Sequence, residues 1–167
     1  MTVPLQLTIT DYRDEAHWRW VLADDKGNFI ADHEVALDAN VPEYRGFKDL
    51  PGYLDYYAPT KPEEQLLREL GEWMGVQVFG GLADALRERM GYPVTVVKVS
   101  VPPEAQTLLL RPFELAHLDG QPLVERGVRF VYHSSTPIPS PSPAKAGEGS
   151  LRVRRPGQLP RSWSWAA

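Results

Sequence analysis

The side chains most suited to chemistry in this sequence are its four histidines, His17, His33, His117 and His133. A zinc site needs paired ligands, such as two histidines four residues apart with an acidic third ligand, and no two of these histidines have that spacing. The sequence contains no cysteine, which excludes a disulfide, a thiolate metal site and a cysteine nucleophile from this chain. We therefore predict no metal site and no cofactor.

Asp32-His33-Glu34 places three polar residues in succession on a predicted strand. Adjacent side chains of a strand point to opposite faces, so Asp32 and Glu34 share one face and His33 lies on the other. The three side chains therefore cannot meet at one ligand. We interpret the segment as the solvent-facing edge of a hairpin.

His117 and Asp119 could form two parts of a Ser-His-Asp hydrolase triad, with Ser134 or Ser135 as the nucleophile. However, the sequence lacks the Gly-x-Ser-x-Gly turn that presents such a serine. Asp119-Gly120 is also a favourable turn pair. A hydrolase built on His117 and Asp119 is therefore the least favoured function.

The segment Asp24-Asp25-Lys26-Gly27-Asn28 resembles half of a calcium-binding loop. It lacks the bidentate acidic ligand at the required spacing, and Gly27 and Asn28 both tolerate positive φ. We predict that this segment is the turn of a β-hairpin. Neither Gly-x-x-x-x-Gly-Lys-Ser/Thr nor Gly-x-Gly-x-x-Gly occurs in the sequence, so it has no phosphate-binding loop of either type.

Several aromatic residues could form a ligand platform or fill the core; they are Trp18, Trp20, Tyr53, Tyr56 and Tyr57. Aromatic side chains at strand and loop positions usually fill the core. Residues 1–133 contain 13 Lys and Arg against 21 Asp and Glu, a net charge of −8, which repels the phosphates of nucleic acids. We predict core packing for these aromatic residues and no nucleic-acid partner.

The composition changes at His133. Residues 134–167 contain six Pro, seven Ser and three Gly and carry a net charge of +4. Alternate prolines in the segment 137–143 exclude a helix or a central strand, and the segment has too little apolar surface to offset its ordering entropy. We predict one domain over residues 1–133 and a disordered or polyproline-II tail over residues 134–167. The tail is interpreted as a linker rather than as a ligand for aromatic grooves or anionic surfaces, and a truncated or shifted reading frame also fits such an abrupt change.

Period-two alternation predicts the first strands of the domain. Residues 5–9 alternate apolar and polar side chains, which is typical of a half-buried strand. Trp18–Leu22 and Phe29–Val35 flank the predicted turn and form an antiparallel hairpin with it. The following connection is rich in Pro, Gly and Tyr, and we predict one short helix in it, near Glu43–Lys48.

The segment Pro62–Met90 has the three- and four-residue apolar spacing of helices. Thr60 and Glu63 have the spacing of a capping box at its start. Gly80-Gly81 is expected to divide the segment into two helices, and Gly91 to end it.

The last elements are predicted to be strands. Five Val and one Thr among residues 94–101 predict a strand in the interior of a sheet. Leu108–Leu110 and Val128–Tyr132 are two further predicted short strands. The order of strands, helices and strands indicates an α/β fold, with an N-terminal β-hairpin, helices and the strands of a mixed sheet.

Four segments in this order resemble the opening part of a CHAT domain, the caspase-like peptidase domain that is often coupled to tetratricopeptide repeats in bacteria. They are Trp18-Arg19-Trp20-Val21-Leu22, Phe29-Ile30-Ala31-Asp32-His33, Tyr44–Leu54, and Arg111-Pro112-Phe113-Glu114-Leu115-Ala116-His117-Leu118-Asp119-Gly120-Gln121-Pro122-Leu123. Within the last segment, Arg111 to Leu115 stands where CHAT domains commonly have a motif of the Leu-Pro-Trp-Glu-Leu-Leu type. The resemblance covers roughly residues 5–133.

The resemblance implies a caspase-like α/β sandwich and, for complete members, thiol proteolysis by a His/Cys dyad. In the family both dyad residues follow well after the motif, where this sequence changes into its Pro/Ser segment. None of the four histidines matches the catalytic position, so no catalytic residue is carried over. In the motif, Pro112 sets an extended entry, Phe113 and Leu115 are expected to fill the core, and Glu114 to accept hydrogen bonds from backbone or Arg donors.

Three hypotheses for function follow. The first is a catalytically incompetent front portion of a CHAT domain, the second a protein-protein interaction module derived from a degenerate CHAT domain, and the third the hydrolase. If a missing half normally completes the sheet, Val128–Tyr132 exposes an unpaired edge, through which the chain binds a protein partner or self-associates. No apolar run of about 18 residues occurs and the start lacks a basic region followed by an apolar stretch, so we predict no membrane partner and a cytoplasmic location.

Overall fold

The computed structural model describes residues 4–90 and 94–134. Three antiparallel strands come first: β1 (Leu5–Asp14), β2 (His17–Ala23) and β3 (Phe29–Ala36). The hairpin between β2 and β3 confirms the predicted turn. Only Gly27 of its residues has a positive φ, 84°, and the Asp24 carboxylate accepts hydrogen bonds from the backbone N–H groups of Lys26 and Asn28.

In the described residues, four α-helices follow these strands: α1 (Pro42–Lys48), α2 (Leu50–Tyr57), α3 (Glu63–Gln77) and α4 (Ala83–Arg89). The predicted helix near Glu43–Lys48 is confirmed as α1, but the expectation that it is the one helix of this connection is wrong, because α2 follows it directly. Asp49 begins α2 by accepting a hydrogen bond from the Gly52 N–H at 3.2 Å, and Pro51 occupies the first turn, where a missing N–H costs nothing.

The long helical segment divides where the sequence predicts. A 3-10 turn, Gly80–Leu82, separates α3 from α4. The predicted capping box is wrong: Pro62 precedes α3 and no side chain caps it, while the Thr60 hydroxyl donates to the Tyr57 carbonyl at 2.9 Å.

The remaining strands are β4 (Thr95–Val101), the short pair β5 (His117–Leu118) and β6 (Gln121–Pro122), and β7 (Val128–Ser134). The five-stranded sheet has the order β3-β2-β1-β4-β7, with β4 parallel to both of its neighbours. This mixed sheet with its helices confirms the α/β fold class and the interior position of β4. Because Ser134 belongs to β7, the sheet runs one residue past the predicted boundary of the domain; residues 135–167 of the predicted tail lie outside the described residues.

The predicted strand Leu108–Leu110 is wrong, because these residues end a 3-10 helix, Pro103–Leu110. Leu108 is buried and Leu110 is exposed, so the apolar run does not alternate across a pleat. A run of three leucines is compatible with either structure, and the prolines at 102 and 103 favour the helical start.

One face of the sheet is buried and the other is not. Alternate residues of β1, β2 and β4 are buried, whereas the residues between them are partly or fully exposed. The buried face holds an aromatic cluster formed by Trp18, Trp20, Phe47, Phe79 and Phe113. Core packing is therefore confirmed for Trp18, Trp20 and Tyr53 but is wrong for Tyr56, which is exposed and lies under the Arg45 guanidinium.

Candidate functional site

Arg111, the first residue of the CHAT-like motif, is only 8% exposed. Its guanidinium donates to the Lys48 carbonyl at 2.7 Å, forms an ion pair with Glu15 at 3.1 Å and lies over the Phe47 ring. The Lys48 carbonyl is at the C-terminal end of α1, where a cation is favourable. Arg111 therefore links the segment that follows β4 to α1, through its hydrogen bond to Lys48 and its contact with Phe47.

Phe113 and Glu114 connect the motif to two different parts of the core. The Phe113 ring contacts Trp20 at a centroid distance of 5.5 Å and Phe79 at 5.9 Å. Glu114 accepts a hydrogen bond from the Tyr132 hydroxyl at 3.2 Å, so the expected backbone or Arg donor is wrong. Burial, together with the Glu114 carboxylate, raises the pKa of Tyr132 above its ordinary value. The motif thus holds β7 through a side-chain contact that its sequence does not reveal.

His117 packs against α3 at two glycines. Its ring lies against Gly71 and its backbone carbonyl against Gly75, so closely that a Cβ at either position would overlap it. The Nδ1 atom is buried and has no hydrogen-bond partner among the described residues. His117 also lines two shallow grooves beside α3, of about 400 and 310 Å³.

Asp119 does not orient His117 as a triad requires. Its carboxylate accepts hydrogen bonds from Arg87 Nε at 2.8 Å and Arg126 Nη1 at 2.8 Å, and these two guanidinium groups lower the pKa of Asp119. The Ser134 hydroxyl oxygen accepts a hydrogen bond from Gln106 Nε2 at 3.5 Å, and Ser135 lies outside the described residues. The geometry of residues 117–134 therefore gives no support to the hydrolase.

The other histidines serve separate local structures. His17 Nδ1 lies 2.9 Å from the Asp14 carboxylate. The sequence predicts that His33 faces solvent at the edge of a hairpin. Its ring instead forms hydrogen bonds with the Gln77 carbonyl at the end of α3 and with the Gly81 N–H in the 3-10 turn. Asp32 and Glu34 do share a face, where both lie within ion-pair distance of Arg19. In residues 4–90 and 94–134, no three His, Asp or Glu side chains are grouped so that they could hold a metal ion.

The predicted interaction surface, β7, is an edge strand of the sheet. It pairs with β4 on one side, and no described strand pairs with its other side. Phe130 and Tyr132 point toward the core but are only partly buried, while Arg129, Val131 and His133 are exposed on the other face. Val131 is 42% exposed. The surface therefore combines backbone groups that no described strand pairs with, an apolar side chain and basic side chains.

Lys98 is a member of this surface that the sequence did not indicate. The parallel register places Lys98 of β4 beside Val131, and Lys98 is exposed. Among the described residues, no carboxylate lies within ion-pair distance of Lys98, Arg129 or His133. Alternation shows that each of these residues faces away from the core, but only the register brings them together. We call Lys98, Arg129, Val131 and His133 the β7 surface.

No protein-family model matches this chain, and no curated protein matches it as a relative. In the part of the chain that the structure describes, no helix has both the length and the apolar character needed to cross a membrane.

Proposed function

We propose that this chain is the catalytically incompetent front portion of a CHAT-type domain and that it acts by pairing its β7 edge with another polypeptide. The cytoplasmic location predicted from the sequence is part of this proposal. The observation that carries it is the outer side of β7, with which no strand of the described residues pairs. An exposed edge presents a row of N–H and C=O groups that pair readily with another strand.

The composition of the edge supports binding rather than simple solvation. Natural proteins protect edge strands with Pro, bulges, short lengths, charged side chains or a covering helix or loop. Arg129 supplies one such charge on β7. The strand otherwise spans seven residues, pairs with β4 in unbroken register and keeps the partly exposed aromatic residues Phe130 and Tyr132 on its inner face. An added strand would cover these rings, which is favourable at about 25 cal/mol per Å² of apolar surface.

The position of β7 in the sheet supports the same conclusion. The pairs β1–β4 and β4–β7 are parallel, and parallel sheets are usually covered on both faces. Here only one face of β4 is fully buried. On its other face Lys98 is exposed, and Val96 and Ser100 are partly exposed. We infer that further polypeptide completes this part of the sheet.

Size-exclusion chromatography with light scattering on the full chain, followed by hydrogen exchange, tests the proposal. If the edge is free, we expect the amides of Val128–Ser134 to exchange faster than those of β1, which is paired on both sides. If the chain self-associates, we expect protection at β7 that weakens on dilution. A monomer with β7 amides as strongly protected as those of β1 would refute edge pairing.

The catalytic part of the proposal has its own test. Purified chain incubated with a peptide library should give no cleavage above the level of a mock purification. Cleavage that His117→Ala abolishes, in a variant with an unchanged circular dichroism spectrum, would instead establish the hydrolase.

A further inference from the structure

The β7 surface has a charge opposite to that of the rest of the domain. The part of the chain outside residues 134–167 has a net charge of −8, yet Lys98 and Arg129 have no acidic neighbour within ion-pair distance in the described residues. At the other edge of the same face, Arg19 is shared by Asp32 and Glu34. Uncompensated cations beside an open strand attract a strand that carries carboxylates.

The spacing on β7 specifies where those carboxylates belong. Arg129, Val131 and His133 lie at alternate positions and so point to one face. A partner strand would place an acidic residue opposite Arg129, an apolar residue opposite Val131 and a second acidic residue opposite His133, whose imidazole N–H can donate to it. This pattern is symmetric about Val131, so it fits a parallel or an antiparallel partner equally well.

A second copy of the chain fits this surface poorly. Antiparallel pairing of two β7 strands about Val131 would set Arg129 opposite His133 of the other copy, so that Arg129 would meet no carboxylate. Parallel pairing would set Arg129 opposite itself. Like charges directly opposite each other destabilise the parallel pair, and the antiparallel pair gives Arg129 no carboxylate, so the charges favour a different protein.

Resting on the proposed function, we propose that the β7 edge binds an extended segment of another protein with the pattern acidic-x-apolar-x-acidic, the three specified side chains facing Arg129, Val131 and His133. The specificity comes from charge, because the backbone pairing itself accepts any strand. Binding should therefore weaken as salt is added.

Amide chemical-shift titration of the full chain with two synthetic peptides tests this partner. The first probe is Thr-Glu-Thr-Val-Thr-Glu-Thr and the second is Thr-Lys-Thr-Val-Thr-Lys-Thr, both with blocked ends. We expect the Glu peptide to shift the amides of Val128–Ser134 and the Lys peptide to bind about tenfold more weakly, the ratio produced by 1.4 kcal/mol. Because short strands bind weakly, the titration extends to millimolar peptide.

Arg129→Glu provides the decisive variant, with Arg13→Glu as its control, since Arg13 is an exposed residue of β1 and the two variants have the same net charge. We expect Arg129→Glu to reverse the preference between the peptides and Arg13→Glu to keep it.

Equal binding of both peptides at β7 would overturn the charge pattern while leaving edge pairing intact. Binding of neither peptide, or a homodimer with protected β7 amides, would overturn the choice of an acidic partner. The failure of edge pairing itself is the separate result of a monomer with fully protected β7 amides.

Discussion

The two edge strands of the sheet, β3 and β7, differ in how the chain itself covers them. On β3, His33 Nε2 donates to the Gln77 carbonyl at 3.0 Å and His33 Nδ1 accepts from the Gly81 N–H at 3.2 Å. These bonds join the strand to the end of α3 and to the turn after it. On β7, His133 is exposed and has no such bond among the described residues.

The same contrast holds for the outer charges. On β3, Asp32 and Glu34 have Arg19 between them, whereas Arg129 on β7 faces no carboxylate in the described residues. On its core face β7 is held by distant segments, through Tyr132 with Glu114 and Phe130 with Phe79, but within residues 4–90 and 94–134 its outer face has no contact like those of Asp32 and Glu34 with Arg19. Substitutions in the core and on the two edges should therefore differ in their effect on stability.

Trp20→Ala should destabilise the domain most. Trp20 is fully buried and stacks on Phe79 at a centroid distance of 6.0 Å, so truncation leaves a cavity and should cost about 3–5 kcal/mol of unfolding free energy. Phe130→Ala on β7 should cost roughly half as much, because its ring is only partly buried. Urea unfolding followed by far-ultraviolet circular dichroism measures both, and equal losses would show that Phe130 at the β7 edge is as fully covered as Trp20 on the interior strand β2.

Gly81→Ala should break the contact between β3 and the 3-10 turn. A Cβ at Gly81 would lie 2.8 Å from His33 Nδ1 and 3.1 Å from the Asp32 carbonyl oxygen, and such overpacking costs about 1–3 kcal/mol. Gly80→Ala is the matched control, since its nearest neighbour is His33 Cε1 at 3.9 Å, an ordinary contact. Gly81→Ala should therefore have a lower melting temperature than Gly80→Ala. Identical melting temperatures would show that the 3-10 turn can shift to accommodate the added Cβ without loss of stability.

His33→Ala and His133→Ala compare the same substitution on the two edges. Loss of the two His33 hydrogen bonds should cost about 1–3 kcal/mol, because each contributes roughly 0.5–1.5 kcal/mol. Substitution of the exposed His133 should change the stability by less than about 0.5 kcal/mol. The midpoints of urea denaturation test this, and a larger loss from His133→Ala would mean that the β7 edge is already covered.

Acid should weaken the segment that leads into β7. The Arg87 and Arg126 guanidinium groups lower the pKa of Asp119 in the folded state below its value in the unfolded chain. Asp119 therefore adds stability above about pH 4, and this contribution is lost as the pH falls through the folded-state pKa. Below pH 4, the unfolding free energy should therefore decline less steeply with falling pH in Asp119→Asn than in the unchanged protein. The same pH dependence in both proteins would show that the ion pairs of Asp119 with Arg87 and Arg126 do not stabilise the fold.

The residue pattern alone predicts several local elements and the faces they bury, although it misses α2 and the 3-10 helix Pro103–Leu110. Alternation placed Leu5, Leu7 and Ile9 on one face of β1, and Gly80-Gly81 marked the division of the helices. Local structure follows from side-chain period and backbone freedom, which neighbouring residues alone decide. The absence of cysteine likewise excludes disulfides, thiolate metal sites and a cysteine nucleophile from the sequence alone.

Only the tertiary structure decided which elements meet. The position of β4 between β1 and β7, the bond between Tyr132 and Glu114 and the neighbourhood of Lys98 and Val131 all depend on the packing of distant segments. The run Leu108–Leu110 shows the same limit, because three leucines pack equally well on a strand or a helix until neighbouring elements occupy the sheet. The β7 surface therefore comes from sheet order and register, which no local pattern contains.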